Sequence, residues 1–342
     1  MFNVSNKSLP ISSTVPESDH DSCDKLHLFF KDANKEIISV SDATFCALNM
    51  LSCIFAVCTN LLILFALYKA TSLHPPSKAL LSSLALSDLG VGAIVQPLFV
   101  AYRWTQIHGD LTNACIAGII SHIEGSHFSA VSFLTMTAIS VDRLLAMVLR
   151  IRYHRVVTFK RVLVVLLAIW ILSGVWASFW VTNQRDYSVI SIILIPICFL
   201  ITLFSYTKIY FCLRRQTIQI ENHSQPSTSM DTSNRSKNIS SQIRYRRSVI
   251  SMFYLFCALL LSFLPYLSHK ILVRSLGWRS SMSVLFSCGL TLVYINSSVN
   301  PLIYCWRISE VKEIVMRILC DAKNFVWGKT LMPTGTRVVN LR

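Results

Sequence analysis

The chain has 342 residues, of which 53% are hydrophobic and 14% charged, and its mean hydropathy is +0.52. A soluble domain carries about 25% charged residues, so this composition excludes a water-soluble multidomain protein and points into a membrane. The net charge is +15, from 32 Lys+Arg against 17 Asp+Glu, and the question it raises is which side of the bilayer those charges face.

The first 42 residues read as an extracellular segment with two glycosylation sequons, at Asn3 and Asn6. They show no basic n-region followed by an apolar run, so the first membrane span is expected to act as the insertion signal. Seven stretches are then long enough to cross about 30 Å of hydrocarbon as helices. Residues 43–68 carry no charge; 79–102 carry only Asp88; 111–141 carry only Glu124; and 162–184, 187–207, 248–269 and 280–306 carry none. Runs of this length without alternation exclude barrel strands. The expected fold is an all-α membrane protein, a seven-helix bundle over 43–306. The connections are short except 214–247, a third intracellular loop. Within 216–243, ten of 28 residues are Ser or Thr, which suits a solvated loop. Residues 307–342 read as a short amphipathic eighth helix and a cytoplasmic tail. Cys320 there is a candidate palmitoylation site.

Orientation follows from Lys and Arg. With the N-terminus outside, nine of the 32 lie on the outer side (Lys7, Lys25, Lys31, Lys35, Arg103, Arg185, Lys270, Arg274 and Arg279) and 23 inside. The basic charge is thus a topology signal and an attraction to anionic headgroups, and nucleic acid is not an expected partner. The expected location is the plasma membrane, multi-pass, with a cytoplasmic C-terminus. Of eleven cysteines, only Cys23 and Cys115 face the oxidising side. If an outer disulfide forms, these two are the pairing on offer; two free thiols are the alternative.

The motifs narrow the class. Asn60 stands in the first span, Leu84-Ala85-Leu86-Ser87-Asp88 in the second, Asp142-Arg143-Leu144 ends the third, and Trp170 lies in the fourth. Pro196 lies in the fifth, Phe263-Leu264-Pro265-Tyr266 in the sixth, and Asn300-Pro301-Leu302-Ile303-Tyr304 in the seventh. In this order, over about 43–320, the chain resembles the rhodopsin-like (class A) family of G-protein-coupled receptors. The resemblance implies an extracellular small-molecule, lipid or peptide ligand, a heterotrimeric G protein as partner, and receptor kinases and arrestin as regulators. It also implies roles. Asp142 would restrain Arg143 at rest, and Arg143 would meet the G protein on activation. Tyr245 stands where some members carry a second restraining acid, so that contact is expected to be missing. Pro265 and Pro301 permit kinks, Phe263 takes the place of a tryptophan switch, and Tyr304 would swing toward Arg143 or Tyr206. Tyr206 lies ten residues past Pro196, where the family has eight. A sodium ion would sit beside Asp88 with Ser132, Asn296, Ser297 and Asn300, all hard oxygen donors. No other cofactor is implied.

Helix geometry and the resemblance together place the ligand. Seven residues make two turns less about 20°, so counting back from Arg143 gives Met136, Ser129 and His122 on one stripe. His122, Gly125, Ser126 and Ser129 are expected to line the outer cavity, faced by Phe263, Tyr266, His269 and Tyr294. Amine receptors carry an Asp where Gly125 stands, and opsins a Lys where Tyr294 stands; neither ligand class is expected. A transporter or channel would line a path with several charges, whereas Asp88 and Glu124 are the only acids inside the predicted spans. A membrane enzyme is not favoured either. There is no His-Glu-x-x-His, and Gly328-Lys329-Thr330 lacks the first glycine of a phosphate loop. Third-loop Ser and Thr, with Thr330, Thr334 and Thr336 in the tail, are candidate kinase sites.

Overall fold

The computed structural model describes residues 35–222, 258–277 and 282–326. Among them every regular element is helical. In chain order they are α1 (Lys35–Lys69), α2 (Pro75–Ile107), α3 (Leu111–Leu149), α4 (Phe159–Thr182), α5 (Gln184–Asn222), α6 (258–276), α7 (Met282–Arg307) and α8 (Ser309–Val326). Six of them, α1 to α5 and α7, contain a span long and apolar enough to cross a membrane, and α6 is the described part of the sixth apolar stretch. Their outer faces expose Phe55, Leu172 and Leu200 among many large hydrophobic side chains. Such a surface is stable only against lipid. The fold is a seven-helix membrane bundle with an eighth amphipathic helix.

Helix α3 runs through the centre and packs against α2, α4 and α5, while α1 packs against α2 and α7. Small or polar residues make these contacts, as expected where lipid is as apolar as leucine. Asn49 donates to Thr291 Oγ1 at 3.0 Å, Ser52 meets Ser298 at 2.8 Å, and Trp170 Nε1 donates to Ser83 Oγ at 3.0 Å. At Gly289 a Cβ would come within 2.9 Å of the Tyr266 backbone. Helix α7 therefore lies directly on α6 beside Pro265. Pro97 has no N–H, and immediately before it α2 widens into a π-turn at Val91–Val95, with Gln96 N bonded to Val91 O.

The caps explain the short connections. Asp110 accepts from Asn113 N at 3.2 Å and from Asn113 Nδ2 at 2.6 Å, which starts α3 and holds the Asp110 carboxyl below its usual range. Asn183 and Asp186 cap each other reciprocally: Asp186 N donates to Asn183 Oδ1, and Asn183 Nδ2 to Asp186 Oδ2. A single residue, Asn183, thus separates α4 from α5. At the inner end, Arg150 at φ +45° stops α3.

Several boundaries differ from expectation for one reason: hydropathy reads the hydrocarbon, and helices continue beyond it. Helix α1 begins at Lys35 within the expected N-terminal segment, and α5 continues to Asn222 into the expected third loop. Helix α8 buries Val311 and Val315 against the bundle and exposes Met316, Leu319 and Cys320. Its Glu310 accepts from Thr71 N, Ser72 N and the Ser72 hydroxyl, which tie it to the α1–α2 turn. The hydrogen bonds from Ser72 and Thr71 hold that carboxyl below its usual range.

Candidate ligand cavity and coupling site

The outer half of the bundle holds a cavity of about 590 Å³, its open mouth included. Helix α3 supplies His122, Gly125, Ser126, Ser129, Ala130, Phe133 and Leu134; α4 supplies Trp176; and α5 supplies Ser191, Leu194 and Ile195. Phe263 and Tyr266 come from α6, and Leu290, Val293 and Tyr294 from α7. Gly125 is small for a reason: a Cβ there would lie 2.5 Å from the Tyr294 hydroxyl. The missing amine-binding aspartate is therefore excluded sterically as well as by identity. Ser126 Oγ meets the Tyr187 hydroxyl at 2.7 Å, and Tyr187 meets Tyr266 at 3.3 Å. Trp176 stacks on Tyr187 with ring centres 4.7 Å apart. The indole N–H of Trp176 and Nε2 of His122 are buried without a hydrogen-bond partner.

Below the cavity three rings close the floor. Phe133 and Phe263 lie 4.9 Å apart, and Phe133 and Phe199 5.2 Å. Beneath them Asp88 is fully buried. Ser132 Oγ donates to its Oδ1 at 2.9 Å and Asn300 Nδ2 to its Oδ2 at 2.7 Å. Ser297 is buried beside the same carboxylate, and its backbone oxygen accepts from Asn60. Asn300 Oδ1 is left buried without a partner. A carboxylate, two hydroxyls and a spare amide oxygen are hard donors that fit a small cation. Asn296 is buried but makes no hydrogen bond to Asp88, so the expected set converges in four of its five members.

At the inner end Asp142 is buried and held from three sides. Tyr153 OH donates at 2.7 Å, Ser77 Oγ at 3.3 Å, and the Arg143 guanidinium stands at 3.6 Å as an ion pair. Tyr206 reaches α3 by accepting from Ser140 Oγ at 3.0 Å, one turn before Arg143, despite its offset from Pro196. His74 and His154 join the first two inner loops through a 2.9 Å ring-nitrogen hydrogen bond. Burial, and then the neighbouring His154, push the His74 pKa below its ordinary value.

The family model for the 7 transmembrane receptor (rhodopsin family) matches residues 59–188. That match covers 130 of the 342 residues and agrees with the motifs read from the sequence. Three curated relatives align along most of its length, all adenosine receptor A3 proteins. The one from Bos taurus is 23% identical and that from Ovis aries 24%, each over 84% of this chain and 92% of the relative. The one from Canis lupus familiaris is 24% identical over 83% of this chain and 93% of the relative.

Seven of the eight residues expected to line the outer cavity do so. His269 does not. It is buried against Phe286, with ring centres 4.9 Å apart, because it is rotated away from the Phe263 stripe. Three residues were overlooked. Tyr187 is the hub of the cavity's hydroxyl chain. Asp42, one residue outside the first predicted span, is buried and pairs with the fully buried Arg103 at 3.5 Å; Arg103 also bonds Gln106 and Ser287. Asp88 and Glu124 are thus not the only acids within the bundle. The third is Lys270, counted from sequence as an outer-surface charge, yet 92% buried. The stripe rule of seven residues, applied to Phe263, finds it. Cys115 is disulfide-bonded; Cys23 lies outside the described residues, as do Asn3, Asn6, Tyr245, the tail threonines and the side chain of Tyr304.

Proposed function

We propose that the chain is a plasma-membrane receptor, N-terminus outside, that binds an extracellular ligand in the 590 Å³ cavity and activates a heterotrimeric G protein through Arg143. The observation that carries this reading is that α3 links both ends. It lines the cavity from His122 to Leu134, supplies Ser132 to Asp88, and ends at the Asp142–Arg143 pair. A ligand that fits the active arrangement better shifts the population toward it. The three-ring floor at Phe263 lies directly between ligand and switch. Pro265 and Pro301 supply the hinges, Asp142 and Tyr153 hold the resting state, and Tyr206 and Tyr304 receive Arg143 once it is freed. Receptor kinases and arrestin would then act on the third loop and tail.

A sodium ion held by Asp88, Ser132, Ser297 and Asn300 would stabilise the resting arrangement. Exchange of sodium for N-methylglucamine would then lower the thermal midpoint of the wild-type receptor and leave Asp88→Asn unmoved; an equal response of the two would sink the sodium site. The relatives are named for adenosine. At 23–24% identity that name supplies a probe to test rather than a ligand. The direct test of coupling is G-protein dissociation in cells, basal and evoked by amines, nucleosides, lipids and peptides. Arg143→Ala, matched for surface expression, is expected to abolish the response. A response unchanged by that substitution would reject the coupling role of Arg143.

A further inference from the structure

Lys270 is the one ammonium on the described part of α6, and it stands in an unusual place. It is 8% exposed, and its Nζ lies 4.0 Å from the centre of the Tyr187 ring and 5.0 Å from that of Tyr266. Tyr266 lines the cavity, and Tyr187 is bonded to Ser126, which also lines it. Among the described residues no carboxylate lies within ion-pairing distance of Lys270. The other buried cation of the outer half, Arg103, is matched by Asp42. His122 and His269 flank the same region around Phe286, and the Asp186 carboxylate next to Tyr187 is taken up by Asn183 instead.

A buried ammonium is costly unless it is paired. Two aromatic faces recover part of that cost, and they supply no anion. Lys270 does not itself line the cavity; Tyr266, one of the two rings it faces, does, and the cavity there is aromatic and aliphatic with a polar lining that is mainly hydroxyls. We propose that Lys270 is the counter-ion for the ligand, and that the ligand is an organic anion: an apolar or aromatic body in the cavity, with a carboxylate or phosphate group at the rim against Lys270. This deepens the receptor reading and rests on it. It also supplies a physical reason why a monoamine does not fit, because a second cation would enter a site that already holds one.

The test is thermal unfolding of the full-length receptor in nanodiscs, with acids and their neutral counterparts as probes. The pairs are 4-phenylbutyrate with 4-phenylbutyramide, phenyl phosphate with phenol, and adenosine monophosphate with adenosine. At saturation at least one acid is expected to raise the wild-type midpoint by roughly 2–4 °C, and its neutral counterpart is expected to do less. The carboxylate and phosphate pairs identify which acid the site takes. Lys270→Met and Lys270→Gln are expected to weaken binding of that acid roughly tenfold or more, while Lys270→Arg keeps the preference. Without any ligand, Lys270→Met is expected to raise the midpoint, since it removes an unpaired buried charge. A lysine that serves only as packing would give a fall. No shift from any acid, equal shifts from acid and neutral probes, or shifts undiminished in Lys270→Met would each overturn the proposal. The readout contains no G protein, so a failed anion site and a failed coupling reading give different results.

Discussion

The two ends of the bundle are built differently. In the inner half the buried carboxylates are answered: Asp88 by Ser132 and Asn300, and Asp142 by Tyr153, Ser77 and Arg143, while the Tyr206 hydroxyl accepts from Ser140. In the outer half Lys270, the Trp176 indole N–H and His122 Nε2 have aromatic neighbours and no hydrogen-bond acceptor or donor of their own. A satisfied network holds one arrangement and resists change. An unsatisfied one is completed by something from outside. The contrast locates recognition at one end and restraint at the other.

The largest effect expected bears on the exception. Among the described residues of the outer half Asp42–Arg103 is the one buried ion pair, and Asp42→Ala would take the Asp42 carboxylate from a fully buried guanidinium. Such a change costs about 3–5 kcal/mol. Thermal unfolding is expected to show a severe loss, and surface expression is expected to fall with it. A midpoint within a degree of wild type would mean that the outer half tolerates unpaired charge freely, which would remove the significance given to Lys270.

Next is the cavity itself. Gly125→Val places a Cβ 2.5 Å from the Tyr294 hydroxyl, and overpacking of this kind costs about 1–3 kcal/mol. Ligand-evoked dissociation should be lost, with basal dissociation retained. Tyr153→Phe probes the other end by removing one hydrogen bond to Asp142, worth about 1 kcal/mol. Basal signalling should rise severalfold with no change in ligand affinity beyond that shift. If Gly125→Val altered only basal activity and Tyr153→Phe only evoked activity, the division of labour would be reversed.

The smallest effect is a pH dependence. The folded state lowers the His74 pKa from 6.5, by burial first and by His154 second. It therefore favours the neutral ring that shares a hydrogen bond with His154. The resulting stability is complete above pH 6.5 and declines as pH falls below that value, because the unfolded chain then binds the proton more readily. His74→Gln is expected to flatten the midpoint between pH 7 and 5.5. An unchanged slope would separate the two inner loops from the restraint on Asp142.

What was legible in the sequence follows the same division. Inner-half residues are identified by type and spacing on one helix. Asp142-Arg143, Asn300-Pro301 and the lone acid Asp88 need only a register, and the structure brings most of their expected partners together. The outer half is defined by which helices face each other, and helical counting gives that only along α3, where His122, Gly125, Ser126 and Ser129 were placed correctly. On α6 the error was one of azimuth: His269 is rotated off the stripe that Phe263 and Lys270 share. Asp42 and Tyr187 were missed because both sit at the ends of apolar runs. Hydropathy marks such residues as surface, while helix α1 begins seven residues before Asp42 and the Asn183 cap folds α5 back at once.

The decisive measurement is nucleotide exchange by purified heterotrimeric G protein on the receptor in nanodiscs, comparing wild type, Gly125→Val and Arg143→Ala. Basal exchange is expected to persist in Gly125→Val and to vanish in Arg143→Ala, with all three proteins folded by thermal unfolding. Exchange that survives in Arg143→Ala, or that disappears when only the cavity is filled, would contradict a device that recognises at one end of α3 and couples at the other.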